Sequence, residues 1–215
     1  MIGHGNTAAI LLASGFSRRF GGGNKLLVPF KGKPLARYTL ELVSKLDFYG
    51  GIYFIAASPD VAALAADFGN IRVVKNPAPE KGLGESVRLG VLAAEASAET
   101  YAEADAEVGA KAGAGAAYYL FFHCDEPFLD APTVQLILDA REQACIVEPT
   151  YRDKPGNPCL FSSVFRDELL SLKEGETPSL IKTRHPKAIK RVEVLNPLVL
   201  EDIDNEEEFL RLSSL

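Results

Sequence analysis

Thr7 to Pro29 reads TAAILLASGFSRRFGGGNKLLVP, and the reading of the whole chain turns on this stretch. An apolar run from Ala8 to Leu12 stops at Ser14-Gly15, and a loop holding Gly15, Gly21, Gly22 and Gly23 follows before hydrophobicity returns at Leu26. A strand that empties into a glycine-rich loop lets backbone N–H groups approach an anion, because no side chain stands between amide and ligand. Arg18, Arg19 and Lys25 add fixed positive charge behind the strand end. The whole chain carries 23 basic against 29 acidic residues, a net charge of −6, so three cations here run against composition. The pattern predicts an anion site, with a triphosphate as the natural guest.

Three named motifs fail on the same residues. A P-loop needs Gly-Lys followed by Ser or Thr, whereas Asn24 follows Gly23 and Leu26 follows Lys25. The dinucleotide fingerprint fails at Ser17, where its second glycine belongs. A nucleophile elbow built on Gly15-Phe16-Ser17 fails at Arg19, where a glycine is needed, and Ser17 is read as a loop hydroxyl.

With 215 residues, 47% of them hydrophobic, the chain can bury one sizeable core, and residues 1–215 are expected to form a single domain. The negative net charge argues against general nucleic-acid or anionic-membrane binding, which needs a basic face. No apolar run approaches the roughly 18 residues of a membrane span, and Met1 to Asn6 lack a signal-peptide pattern, so a cytoplasmic protein is expected. Cys124, Cys145 and Cys159 are odd in number and lack C-x-x-C spacing, which predicts reduced thiols rather than disulfides or a zinc cluster.

Short apolar runs alternate with helical patterns along the chain. Helices are predicted over Pro34 to Leu46, from Pro59 to about Phe68, and from Val87 to Ala94, with strands at Ile52 to Ala57 and Ile71 to Lys75. Glu95 to Ala116, almost wholly alanine, glutamate and glycine, reads as an exposed, partly mobile connection without chemistry, its first part able to extend the preceding helix. Strands return at Tyr118 to Phe122, Ala144 to Val147 and Ile189 to Leu195. Further helices are predicted to about Arg141, over Val164 to Leu172 and Thr177 to Thr183, and after an Asn205 N-cap. This alternation predicts an α/β protein with a mostly parallel sheet covered on both faces.

In open parallel sheets ligands sit beyond the carboxyl ends of strands. Asp125, just after the Tyr118 to Phe122 run, is thereby placed on the same edge as the glycine loop, where a carboxylate can hold magnesium and a turn before Pro127 would equally use an aspartate. Gly82 and Ser86 open the Val87 helix and serve equally as a ligand-facing helix start or an ordinary N-cap. Asp202 and Asp204 precede the last helix, where acidic residues are common. Cys124 has no basic partner in the sequence to activate it, and no convincing nucleophile is found. His123 reads either as a group that meets substrate or, as is commoner for a lone strand-end histidine, as a packed or capped residue, and no role is assigned to it.

Leu12-Ala13-Ser14-Gly15-Phe16-Ser17-Arg18-Arg19-Phe20-Gly21 followed by Lys25-Leu26-Leu27 resembles the L-A-A-G-x-[SG]-x-R-M-G-x-x-K-L-L signature of the nucleotidyltransferase superfamily that includes the molybdenum cofactor cytidylyl- and guanylyltransferases. Asn76-Pro77 with Gly82 and Ser86, Cys124-Asp125-Glu126-Pro127, Gly156-Asn157-Pro158 and Asp202-Ile203-Asp204 are similar to further motifs of that superfamily, in order. Ser14 replaces the usual second alanine, and the spacer before Lys25 is long. The resemblance implies a three-layer, Rossmann-like (GT-A-like) nucleotidyltransferase fold with a mixed, mostly parallel sheet. It implies that Leu12, Ala13, Ser14, Gly15, Gly82 and Ser86 hold the nucleotide, Arg19 and Lys25 bind its triphosphate, Asp125 and Asp204 hold Mg²⁺, and Asn157 borders the acceptor. Asp202 is set aside as pointing the opposite way. The form of the motifs is most similar to molybdenum hydroxylase accessory proteins and cytidylyltransferases, which implies CTP, or GTP given Ser14, a molybdopterin-type acceptor and a molybdoenzyme client. A carrier that binds and delivers the cofactor without turnover is the alternative from another class, and a cytidylyltransferase acting on a sugar- or alcohol-phosphate is a third reading.

Overall fold

The computed structural model describes residues 6–15, 23–105 and 115–215, and the side chains of 98–105 are excluded. In chain order the strands and helices are β1 (Thr7–Ala13), β2 (Pro29–Phe30), β3 (Lys33–Pro34), α1 (Arg37–Val43), β4 (Ile52–Ala56), α2 (Pro59–Ala63), β5 (Ile71–Lys75), α3 (Leu83–Asp105), β6 (Tyr118–His123), α4 (Ala131–Asp139), β7 (Ile146–Tyr151), β8 (Lys154–Pro155), β9 (Cys159–Ser162), α5 (Arg166–Leu170), α6 (Ser179–Arg184), β10 (Ile189–Glu193) and α7 (Glu206–Ser213).

The main sheet is eight-stranded in the order β10-β7-β9-β6-β1-β4-β5, with β8 paired to β7 off that path. β1 lies between β4 and β6 and is parallel to both. β5 continues parallel to β4, and β10 runs parallel to β7. The sheet is mixed because β9 runs antiparallel to both β6 and β7, and β8 antiparallel to β7. β1 is buried at every position, as expected of a central strand covered on both faces.

Side chains of β1 alternate between two apolar layers. Ala9, Leu11 and Ala13 join a cluster with Leu40 and Val43 of α1, Val61 of α2, and Val134, Ile137 and Leu138 of α4. Ala8, Ile10 and Leu12 join the opposite cluster with Val87 and Val91 of α3, Leu169 of α5 and Ile181 of α6. The predicted three-layer α/β architecture is thus present: helices, sheet, helices. A third cluster joins Phe30 of β2 and Leu35, just after β3, to Ile203 and to Leu212 of α7.

Several boundaries differ from the sequence reading. Pro34 does not open a helix; it pairs with Pro29 in the small β2–β3 hairpin, and α1 begins only at Arg37. The turn between those strands places Lys31 at φ 45° and Gly32 at φ 93°, a local conformation that helical periodicity does not reveal. Helix α3 starts at Leu83 rather than Val87 and runs through Asp105, so the first part of the alanine-rich segment extends the preceding helix, as its composition allowed. Alanine and glutamate favour helix, and Glu95 fastens that helix by accepting hydrogen bonds from Tyr119 (2.7 Å) and Arg166 (3.1 Å). The Ala144 to Val147 strand starts later and runs further, to Tyr151. Asn205 caps α7 as expected, its side chain accepting from the Glu208 N–H at 2.9 Å. Among the described residues, no helix is long and apolar enough to cross a membrane.

Candidate functional site

The parallel register brings the carboxyl ends of β1 and β6 side by side, with Leu12 opposite His123. Ser14, just past β1, is buried and donates its hydroxyl to the Ile55 carbonyl at 2.9 Å, so its side chain is engaged with the neighbouring β4. Gly15 follows at the surface. Arg19, with Arg18 and the glycines from Gly21 to Gly22, lies outside the described residues.

Lys25 opens a short 3-10 turn capped by Asn24, whose side-chain oxygen accepts from the Leu26 N–H at 3.1 Å. Its Nζ lies 2.7 Å from Asp125 Oδ2 and 2.7 Å from Asp204 Oδ1. Residues 25, 125 and 204 therefore meet at one point despite their separation along the chain. Burial opposes the Lys25 charge, yet the Asp125 and Asp204 carboxylates outweigh it and hold its pKa above that of an ordinary lysine.

Packing explains why the distant Asp204 arrives there. Ile203 is fully buried in the Phe30 cluster, and its N–H donates to the Asp125 carbonyl at 3.0 Å. The Asp204 N–H donates to Glu208 Oε2 at 2.7 Å, fixing the backbone at the entrance of α7.

Asp202 does not point away, and this corrects the sequence reading. It lies close enough to Asp125 and Asp204 for their charges to act on it, while Ile203 between the two aspartates is buried. Partial desolvation and then the charges of Asp125 and Asp204 raise the Asp202 pKa.

Glu126 was also missed, although it stands in the aspartate-proline motif itself. It is 3% exposed, and its Oε1 accepts from Asn157 Nδ2 at 2.8 Å. Burial, followed by the Asp125 charge, pushes its pKa well above the usual carboxylate range. Burial lowers the His123 pKa, against the opposing charges of Asp125 and Asp202.

Gly82 turns the chain into α3 at φ 88°, a conformation that favours glycine. Ser86 is buried one turn on, its Oγ accepting from Asn76 Nδ2 at 3.1 Å, while Asn76 Oδ1 accepts from the Ala78 N–H at 2.9 Å. Asn76 thus braces the loop ahead of Gly82.

A cleft of about 390 Å³ opens beside the strand ends. Leu12, Leu83, Phe121, His123, Asn157 and Cys159 line it, together with Lys182 of α6. Lys182 donates to Glu148 Oε2 at 2.7 Å, and Arg191 Nε lies 3.1 Å from Glu148 Oε1. The buried Glu148 carboxylate is thus shared by two cations, one of which, Lys182, lines the cleft, a feature no local sequence motif signals.

The carboxylates fit a divalent cation. Asp125 and Asp204 present hard oxygens about one ammonium nitrogen, and Asp125 Oδ1 is buried and accepts no hydrogen bond from the described residues. A cation can bind there without first breaking a hydrogen bond to that oxygen.

Residues 9–189 match the model of the MobA-like NTP transferase domain. The chain belongs to this family. Over 211 residues it is 24% identical to nicotine blue oxidoreductase of Paenarthrobacter nicotinovorans, covering 94% of each chain. The crystal structure of Rv0371c from Mycobacterium tuberculosis H37Rv superposes with a TM-score of 0.71 at 23% identity, covering 97% of this chain and 98% of that one. A second structure of Rv0371c is a complex with manganese, with a TM-score of 0.66 at 20% identity and the same coverages. Molybdopterin-guanine dinucleotide biosynthesis protein A from Archaeoglobus fulgidus gives a TM-score of 0.65 at 16% identity over 97% of each chain. These likenesses agree with the three-layer fold, and the match with the family model supports a nucleotidyltransferase-type domain.

Proposed function

We propose that the protein transfers CMP from CTP to the terminal phosphate of a molybdopterin-type acceptor and releases pyrophosphate, acting in the cytoplasm for a molybdoenzyme client. The observation that carries this reading is the meeting of Lys25, Asp125 and Asp204 at the carboxyl end of the sheet.

The nucleotide lies along the β1 exit, with backbone groups of Leu12, Ala13, Ser14 and Gly15 on one side and Gly82 and Ser86 at the start of α3 on the other. Lys25 and Arg19 bind the triphosphate; Lys25 is already placed at the carboxylate pair, and a flexible ammonium can turn from carboxylate to phosphate. Asp125 and Asp204 hold Mg²⁺, which supplies charge neutralisation on the phosphates when bound. Asn157 and the neighbouring cleft receive the acceptor, and Lys182 offers a cation to its anionic groups.

An acceptor phosphate oxygen then forms a bond to the α-phosphorus, and the bond from that phosphorus to the oxygen bridging to the β-phosphate breaks. The electron pair leaves with pyrophosphate. No protein nucleophile is required, and positioning with charge stabilisation does the catalysis.

Pyrophosphate release with Mg²⁺, each NTP and molybdopterin tests the reading. The expected result is release with CTP, abolished in Asp125→Ala while circular dichroism shows the fold retained. Preference for GTP would change the nucleotide and keep the chemistry. Tight binding of molybdopterin with no release under any pair would leave a carrier. Reduction of nicotine blue without pyrophosphate release would align the chain with its Paenarthrobacter relative.

A further inference from the structure

A carboxylate buried in a sheet strand is costly, and an apolar side chain of similar size would serve stability as well or better. Glu148 of β7 is such a group, 1% exposed, and it takes no part in the meeting of Lys25, Asp125 and Asp204. Its partners come from two elements. Arg191 stands directly opposite it in the parallel β7–β10 register, and its Nε donates to Oε1 at 3.1 Å. Lys182 of α6 donates to Oε2 at 2.7 Å, next to the fully buried Ile181 that seats the helix.

The two cations differ in surroundings and in chemistry. Lys182 lines the cleft of about 390 Å³, whereas Arg191 is not among the lining residues and is exposed. An ammonium on a flexible stem can give its hydrogens to a new acceptor, while a guanidinium stays charged and holds its geometry. If Lys182 were the sole partner of Glu148 it could not leave, because an unpaired buried charge would remain. With Arg191 opposite, it can.

We propose that Glu148 and an anionic ligand of the cleft compete for the Lys182 ammonium, and that Arg191 decides the outcome by keeping the buried carboxylate paired when Lys182 turns to the ligand. Lys182 is then a ligand-binding residue, and Glu148 and Arg191 are positioning residues that act through it. Leu12, Leu83, Phe121 and Phe161 line the same cleft, so the ligand class is an anionic group such as a phosphate monoester carried on an apolar or ring-shaped body. The inference rests on the reading of this cleft as the acceptor's site. The charges of Lys182 and Glu148 both act on the Cys159 thiol, which also lines the cleft, so both reach the space a ligand would occupy.

Isothermal titration of the full chain with phenyl phosphate, without nucleotide and with phenol as the uncharged control, tests the exchange. Phenyl phosphate should bind at least about tenfold tighter than phenol, and Lys182→Met should remove about tenfold of its affinity. Arg191→Gln should weaken it at least about fivefold, although residue 191 does not line the cleft. Glu148→Gln should bind at least as tightly as wild type, and adding it to Arg191→Gln should recover the affinity that Arg191→Gln alone loses. A merely structural Arg191 would not be rescued by a second loss. If Glu148→Gln fails to fold by circular dichroism, Arg191→Lys carries the comparison and should keep the affinity within about threefold of wild type. Wild type that does not prefer phenyl phosphate to phenol, or affinity unchanged in Lys182→Met or Arg191→Gln, would overturn the exchange. So would Glu148→Gln binding more weakly than wild type, a loss that persists in the double variant, or Arg191→Lys binding no better than Arg191→Gln. Pyrophosphate release by wild type is measured apart: release without these effects sinks the exchange alone, and these effects without release sink the transfer reaction alone.

Discussion

Glu126 shows how much chemistry one buried atom can carry. Its folded-state pKa lies well above the unfolded value of 4.5, so the folded protein holds this proton more tightly than the unfolded chain. Stability tied to the group is therefore present below the unfolded pKa and lost as pH rises toward the folded one. Glu126→Gln keeps the Asn157 hydrogen bond and cannot ionise. With chelator present, urea unfolding should find the variant more stable than wild type at pH 8, with the gap closing below about pH 4. A gap that widens in acid would mean the carboxylate is stabilised rather than strained. The thiols obey the same electrostatics: burial pushes Cys159 up to about 12, so this cleft residue is a neutral thiol.

Among the elements, α3 matters most for the site, since Gly82 leads into it and its first turn carries Ser86, while its middle lies on β1. Gly90 is the point of closest approach. A Cβ there would lie 2.3 Å from Cγ2 of the buried Ile10, far inside contact distance. Gly90→Ala gains helix propensity worth about 1 kcal/mol, whereas overpacking costs about 1 to 3 kcal/mol, so packing should win and stability should fall. Ile10→Ala removes the clashing atoms, and the double variant should be less unstable than the two single losses added together. Additivity within about 0.5 kcal/mol, measured by urea unfolding, would show that α3 simply shifts to make room.

At the scale of the molecule, the C-terminal segment is the clamp that completes the site. Phe30 sits edge-on to Tyr38, Phe128 and Phe209, with ring centroids 5.7, 5.9 and 5.6 Å away, and so ties the β2–β3 hairpin, the loop after Asp125 and α7 into one cluster. Ile203 is part of that cluster, one residue from Asp204. Phe30→Ala should cost about 3 to 5 kcal/mol and free α7 before the main sheet loosens. Amide hydrogen exchange should show protection lost first over Glu206–Ser213. Loss spread evenly over β1 and β6 would contradict a separable clamp.

The glycine-rich exit of β1, the aspartate after β6 and the Asn205 cap were legible because each is a local pattern: a strand ending in small residues, a carboxylate at a strand end, a side chain reaching its own helix. Parallel strands separated by helices likewise follow from periodicity, which a single sequence displays in full. Tertiary structure alone decided that Lys25, Asp125 and Asp204 share one point, that their charges reach Asp202, and that Glu126 is buried with an oxygen that meets no donor among the described residues. Those facts depend on strand order and on the aromatic cluster that folds the C-terminal segment back across the sheet. Contacts between residues a hundred or more positions apart are set by packing the whole core, and no local pattern encodes them.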